Sequence, residues 1–346
     1  MEAWEKKVLK DFGDVMTTAD VMQTKKQNII PLSPAADIGL NGGIPGGSWC
    51  NFSGPPKCGK TTQALHFAAK CQKKENGNRK VFFLDVEHRL KLMNLSSVPE
   101  LDLTRFVVIR PNEAKYIISA EKQLTVVEQA IKNNPGCLVI IDSLSALCSE
   151  KELNGEISGE IRSVSPKIIS IFCKKMQAVI PLNDSIVISI HHYIANTSGY
   201  GPKNSEGGGN KIQFQSDVKL LCRGNEEWKD GAGNLIGQKV KWYVKWSALG
   251  APGSTIVNYI RYGNGIDEVT ELVEIGEQLA LIDKAGAWFT LDFLLNSSDK
   301  KVVSFIETLQ EGDKKLKFQG QLKVSKFIEE NPFIQKILYK DIKAML

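Results

Sequence analysis

Apolar residues in this chain gather into short runs: Ser48–Ser53, Val81–Asp85, Phe106–Ile109, Leu138–Asp142 and Ser185–Ile190. Runs of that length, bounded by turn-forming residues, predict strands. Between them, Thr61–Lys73, Ser119–Asn133 and Lys167–Val179 read as helices. Strand and helix alternate, which predicts a parallel sheet joined by crossover helices. Ahead of this core, Glu2–Phe12 places Trp4, Val8 and Leu9 at helical spacing, and a polar connection follows at Thr17–Asn28. Two segments rich in glycine and serine, Asn154–Ser165 and Asn196–Lys211, interrupt the alternation. Val218–Cys222, Lys239–Lys245 and Thr255–Arg261 then form a β-rich stretch, and from about Glu271 short helices with many lysines take over. The expected organisation is an N-terminal helix and linker over 1–33, an α/β core over 34–270, and a small α+β module over 271–346.

Composition removes several classes without choosing among the rest. The 346 residues suffice for one large core with one or two small appendages. With 42% hydrophobic and 24% charged residues, neither disorder nor a membrane class fits, and no apolar run approaches the ~20 residues of a bilayer span. Met1–Lys7 is charged with no apolar stretch behind it, so no secretory signal is expected and a cytoplasmic setting is. Seven cysteines occur without a Cys-x-x-Cys pair, which argues against a zinc site or disulfide framework. A net charge of +5 is compatible with nucleic acid but too small to point to it.

The chemistry starts at Gly54–Thr62. Gly54, Gly59, Lys60 and Thr61 stand at the fixed positions of G-x-x-x-x-G-K-[ST], after an apolar strand and at the start of a helix. In such a loop, glycines let backbone N–H groups curl around phosphates; Pro55, Pro56, Lys57 and Cys58 fill the variable positions. Lys60 reaches the β/γ-phosphates and Thr61 ligates Mg²⁺. The strand Leu138–Asp142 ends in a carboxylate, which predicts Asp142 beside the loop on the metal side. Val81–Asp85 leads into Glu87, and strand ends of an open α/β sheet face the ligand crevice, so Glu87 is placed to activate water. Ser185–Ile190 runs into His191 and His192. Adjacent strand residues point to opposite faces, so one histidine is expected toward the nucleotide and the other in packing.

At Leu40–Ser48, Asp85–His88, Val139–Ser143, Glu156–Ile157, Gly208–Asn210, Tyr262–Ile266 and Leu281–Trp288 the chain resembles the RecA family of DNA strand-exchange recombinases. The resemblance runs from the N-terminal helix to about Pro332. It implies a RecA-like core and a DNA-dependent ATPase that uses ATP and Mg²⁺. It also implies helical self-assembly on single-stranded DNA, pairing with homologous double-stranded DNA, and work beside a single-strand-binding protein and a loader. Carried over position by position, Glu87 is the catalytic carboxylate, Asp142 the Mg²⁺-side acid, and Tyr262 and Gly263 lie near the base. Asn154–Ser165 and Asn196–Lys211 become the two DNA loops. There Arg162, Lys203 and Lys211 meet phosphates, Ile161, Ile194 and Tyr200 meet bases, and Gly208, Gly209 and Asn210 belong to the second loop. Phe214 packs on the neighbouring subunit, and Lys245 reaches the neighbour's ATP. Trp288 is expected in the core of the C-terminal module.

Four positions depart from the family. His192 stands where an amide usually senses the γ-phosphate, Asn94 where a tyrosine stacks on adenine, Ser247 at a second interface lysine, and Gln213 at a basic loop position. They point to a divergent member, phage-encoded or organellar. Competing readings are a helicase or recombination mediator on the same core, a DNA-coating filament that scarcely hydrolyses ATP, and an unrelated P-loop kinase. The stretch ahead of Leu40 is short for a helicase's extra domain, Glu87 argues against the inert filament, and two glycine-rich loops have no evident role in a kinase.

Overall fold

The computed structural model describes residues 2–13, 15–24, 27–110, 117–155, 165–195, 204–206, 215–309 and 313–345. A two-stranded antiparallel pair, β1 (Ile29–Ile30) and β2 (Ile44–Pro45), precedes the main sheet. That sheet contains β3 (Trp49–Gly54), β4 (Val81–Asp85), β5 (Phe106–Ile109), β6 (Leu138–Asp142), β7 (Ile186–Ala195), β8 (Asn204–Glu206), β9 (Val218–Lys229), β10 (Leu235–Trp246), β11 (Thr255–Arg261) and β12 (Gly265–Ile266). Its order is β12-β11-β10-β9-β3-β7-β6-β4-β5, with β8 against β7. From β9 to β5 every neighbouring pair is parallel, and β9 to β12 are antiparallel. The expected α/β class and mostly parallel sheet are those observed.

Alternation along buried strands decides which helix covers which face. Phe83, Ile140, Ile188, Cys50 and Phe52 pack beneath the helix Lys60–Gln72, through Ala64, Leu65, Phe67 and Ala68. Their neighbours Phe82, Leu84, Val139, Ile141, Val187 and Trp49 meet Leu124, Val127, Phe172 and Met176 from the helices Ala120–Asn133 and Ser165–Leu182. With both faces covered, the strands read as continuous apolar runs. Among the described residues no helix is long and apolar enough to cross a membrane.

Two expectations need correction. The connection Thr17–Asn28 carries a short helix, Ala19–Thr24. Trp288 lies outside the core of the C-terminal module: it is 43% exposed, with the Lys317 ammonium 5.4 Å from its ring centroid. The small sheet β13 (Asp283–Ala285), β14 (Trp288–Thr290), β15 (Lys317–Gln319) buries Phe289, and alternation turns Trp288 outward.

The helix Glu268–Gln278 joins the main sheet to this module. Val269, Leu272 and Val273 belong to the module's core with Phe289, Leu294, Val324 and Leu338. Its Glu271 faces the other way and is 1% exposed. There the carboxylate accepts from Asn258 Nδ2 at 2.7 Å and from the Ala35 N–H at 3.1 Å. Burial outweighs these bonds and pushes the Glu271 carboxyl up to about 8. Its folded value lies above the ordinary value of 4.5, so the native state holds this proton more tightly than the unfolded chain. The stabilisation is complete below about 4.5 and is lost as pH rises toward about 8, on the order of 4 kcal/mol across the window. Urea midpoints of wild type and Glu271→Gln, measured from pH 5 to 8.5, are expected to diverge in favour of the variant as pH rises. Parallel curves would show that Glu271 carries no such linkage.

Candidate nucleotide site

Strand order assembles the site. β3, β7, β6 and β4 lie side by side and parallel, so their carboxyl ends share one edge. Gly54 ends β3, His192 pairs with Gly54 from β7, Asp142 ends β6, and Glu87 follows β4 by two residues. Residues far apart in the chain thereby meet in one crevice, the usual ligand position in open α/β sheets.

The loop after β3 curls because its glycines permit it. Gly59 has φ +86°, and a Cβ there would overlap Ile260 Cδ1, so neither the backbone nor the space admits another residue. A Cβ on Gly54 would come within 2.6 Å of Cys222 Cβ and 2.8 Å of Cys58 Sγ. Lys60 opens the helix and is buried, its ammonium donating to the Gly54 carbonyl at 3.0 Å and the Pro55 carbonyl at 2.7 Å. Thr61 Oγ1 donates to Asp142 Oδ2 at 2.7 Å. Burial raises the Asp142 carboxyl above its ordinary range, against the lowering effect of the Thr61 bond.

Beside this pair sits a second. Glu87 Oε1 accepts from Ser143 Oγ at 2.9 Å and lies 3.1 Å from His192 Nε2, while Oε2 pairs with Arg89 at 3.1 Å. One ligand atom each from Glu87, Asp142 and His192 fall within 4.8 Å of one another. His191 takes the opposite face, 2% exposed, with Nε2 3.2 Å from Ser189 Oγ. Asp85 is a turn-former: it accepts from the Arg89 N–H at 3.0 Å and lies 3.4 Å from Arg110.

Other expected positions lie apart from the cluster. Lys245 is exposed on β10, and the pairings Trp246–Lys219 and Lys219–Asn51 put it level with the amino half of β3, two strands across. It does not join its own chain's crevice. Tyr262 is 56% exposed and Gly263 has φ +83°, in the turn after Ile260, the residue that Gly59 packs against. Asn94 caps its own short helix by accepting from the Lys91 N–H at 3.0 Å. Ile161, Arg162, Tyr200, Lys203, Gly208, Gly209, Asn210, Lys211, Gln213 and Phe214 lie outside the described residues. Of Ile194 only the backbone is described, opposite Ser205.

Sequence reasoning missed Ser143 and Arg89 as partners of Glu87 and Cys222 as partner of Cys58. Ser143 had a signal, its place directly after Asp142; Cys222 had none. The Cys222 thiol bonded to Cys58, with the Lys60 ammonium nearby, holds the Cys58 thiol down to about 7 against its burial. Cys222 is pushed up in return. Cys58 itself is buried, so its lowered thiol faces Cys222 and Lys60 and not solvent.

A parallel sheet that delivers a glycine-rich phosphate loop, a helix opening on Lys60 and Thr61, and a strand-end Asp142 beside them defines a P-loop nucleotide hydrolase. Residues 1–267 match the RecA N-terminal domain model. The chain is similar to proteins called Protein RecA: 29% identical to that of Acholeplasma laidlawii over 98% of this chain and 94% of the relative. It is 28% identical to that of Chlorobaculum tepidum over 96% and 88%, and 31% identical to that of Streptococcus uberis over 82% and 74%. The chain belongs to the RecA family. It is a RecA-type recombinase and DNA-dependent ATPase that binds nucleotide with Mg²⁺, binds DNA and assembles with copies of itself.

Proposed function

We propose that the chain coats single-stranded DNA as a helical filament, holds ATP between protomers, and pairs the coated strand with homologous double-stranded DNA. The observation that carries this reading at residue level is the packing of two pairs, Thr61–Asp142 and Glu87–His192, on one sheet edge. Gly54–Thr62 and Lys60 would hold the phosphates, Tyr262 and Gly263 the base, and Thr61 with Asp142 the Mg²⁺. An ion held by Thr61 and Asp142 would supply positive charge against the phosphates.

In this reading Glu87 orients the attacking water and accepts its proton, with Ser143 fixing the carboxylate. His192 lies on β7, the strand that runs on toward Asn196–Lys211. A ring that leaves Glu87 to donate to the γ-phosphate would pull on that strand, which links nucleotide state to the DNA loop. Lys245 faces outward and would reach the neighbour's nucleotide, with Phe214 in the same interface. The proposed units are 1–33 for docking on a neighbour, 34–270 for the ATPase core and 271–346 for the C-terminal module. The proposed setting is the cytoplasm, alongside a single-strand-binding protein and a loader.

ATP hydrolysis with and without single-stranded DNA, read beside strand exchange between a coated circle and a homologous linear duplex, tests this directly. Turnover raised at least tenfold by DNA, together with joint molecules, is the expected result. Turnover indifferent to DNA would overturn it in favour of a coating filament.

A further inference from the structure

The Glu87–Asp142–His192 cluster has a donor set of its own. We propose that these three side chains form a site for a divalent transition metal ion of the Mn²⁺, Co²⁺ or Zn²⁺ class, distinct from the Mg²⁺ position at Thr61 and Asp142. The inference rests on the hydrolytic reading of these residues and adds a second ion class that bears on the same carboxylate.

Geometry supports it first. Ligand atoms around an ion at about 2.0–2.2 Å stand roughly 3–4.4 Å apart. The three atoms here lie within 4.8 Å of one another, with His192 Nε2 and Glu87 Oε1 at 3.1 Å. Asp142 ends β6, His192 lies within the adjacent β7, and Glu87 follows β4 by two residues, so three neighbouring strands of one sheet supply the ligands. Outer contacts already orient two of them. Ser143 holds Glu87, and Thr61 takes Asp142 Oδ2, leaving Asp142 its other oxygen.

Donor chemistry supports it second. Two carboxylates suit Mg²⁺, but an imidazole among them shifts preference toward Mn²⁺, Co²⁺ and Zn²⁺. The ring is free to change tautomer. Nε2 carries the proton when it donates to Glu87, and Nδ1 is buried with no partner among the described residues. Ligation through Nε2 places the proton on Nδ1, which finds no acceptor among the described residues, so that unmet donor is a cost the metal bond has to exceed.

The consequence is regulatory. An ion on this site engages both the carboxylate proposed to activate water and the ring proposed to sense phosphate. The expected effect is a filament that keeps nucleotide and DNA while turnover falls at least tenfold at micromolar Zn²⁺ in millimolar Mg²⁺.

Binding is read on the full-length protein without nucleotide, by calorimetry with Zn²⁺ and by the visible spectrum of Co²⁺. One ion per chain is expected, weakened at least tenfold in both His192→Gln and Glu87→Gln. His192→Asp is expected to keep Mn²⁺ binding, because it restores an anionic donor, and a thermal melt confirms that each variant folds. Unchanged affinity in His192→Gln overturns the proposal. So does the intense near-ultraviolet band of a Co²⁺–thiolate bond, which would assign the ion to Cys58 and Cys222, and so does the absence of any binding. Because the readout needs neither ATP nor DNA, its failure is separable from failure of the recombinase mechanism.

Discussion

Replacing Glu87 with glutamine is expected to lower DNA-stimulated ATP turnover by about 10²–10³-fold while leaving nucleotide affinity within a few-fold. The substitution changes almost nothing but charge and basicity. A glutamine Oε1 still accepts from Ser143 and still stands opposite His192 Nε2, so the neighbours keep their places. The amide nitrogen would face Arg89 and lose that pair, but Arg89 is 81% exposed, and so solvated an ion pair contributes little. What disappears is the acceptor for a proton from water. Phosphate grip should survive, because Lys60 and Thr61 do not touch Glu87. Steady-state ATPase, binding of a fluorescent nucleotide and the lifetime of DNA-bound protein separate these effects. The expected variant holds ATP and stays on DNA longer. Turnover within about threefold of wild type would move water activation elsewhere, with Asp142 the next acid in the cluster.

Arg79→Ala is expected to destabilise the fold by about 3 kcal/mol. Arg79 is 3% exposed, and its guanidinium ties together the segments that lead into β4, β6 and β7. Nε donates to the Asn76 carbonyl at 3.3 Å, Nη1 donates to the Gly136 carbonyl at 2.9 Å and to the Asp184 carbonyl, and Nη2 pairs with the Asp184 carboxylate at 2.8 Å. Alanine strands carbonyls where water reaches poorly, and each charge-assisted bond to them contributes about 1.5–3 kcal/mol. The total stays toward the lower end of buried-pair losses because the Asp184 side chain is 58% exposed and solvent can take over its charge. Arg79→Lys should recover less than half of the loss, since one ammonium cannot serve a planar fork of acceptors. Urea midpoints with unchanged slope would read the difference. A loss under about 0.5 kcal/mol would mean that these segments are held by the sheet alone.

Much of the architecture was legible before any tertiary contact was known. Four of the five apolar runs are strands buried on both faces, which leaves no polar alternation to blur them, while β5 at the sheet edge exposes Val107. The observed bounds of all five differ by a residue at most until β7, which continues through His191 and His192 to Ala195. The phosphate loop was legible for a different reason. Its chemistry is local, so spacing within Gly54–Thr62 carries the whole requirement. The split between the two histidines followed from strand alternation alone, and His191 and His192 do take opposite faces. Trp288 was misread because a motif position says nothing of which face a three-residue strand presents. Its exposure follows from the pairing of β14 with β13 and β15.

What the chain could not announce is adjacency across the sheet. That β7 and β6 lie between β3 and β4 places His192 against Glu87 and Asp142 against Thr61. It also presses Cys222 toward Cys58 and leaves Lys245 facing away from its own crevice. Residue type and spacing are encoded within a few turns of chain, so the sequence by itself determined the elements and the phosphate loop. Strand order is settled by the competition of long-range packing, and only the tertiary structure decided which acids, which imidazole and which thiols would share one small volume.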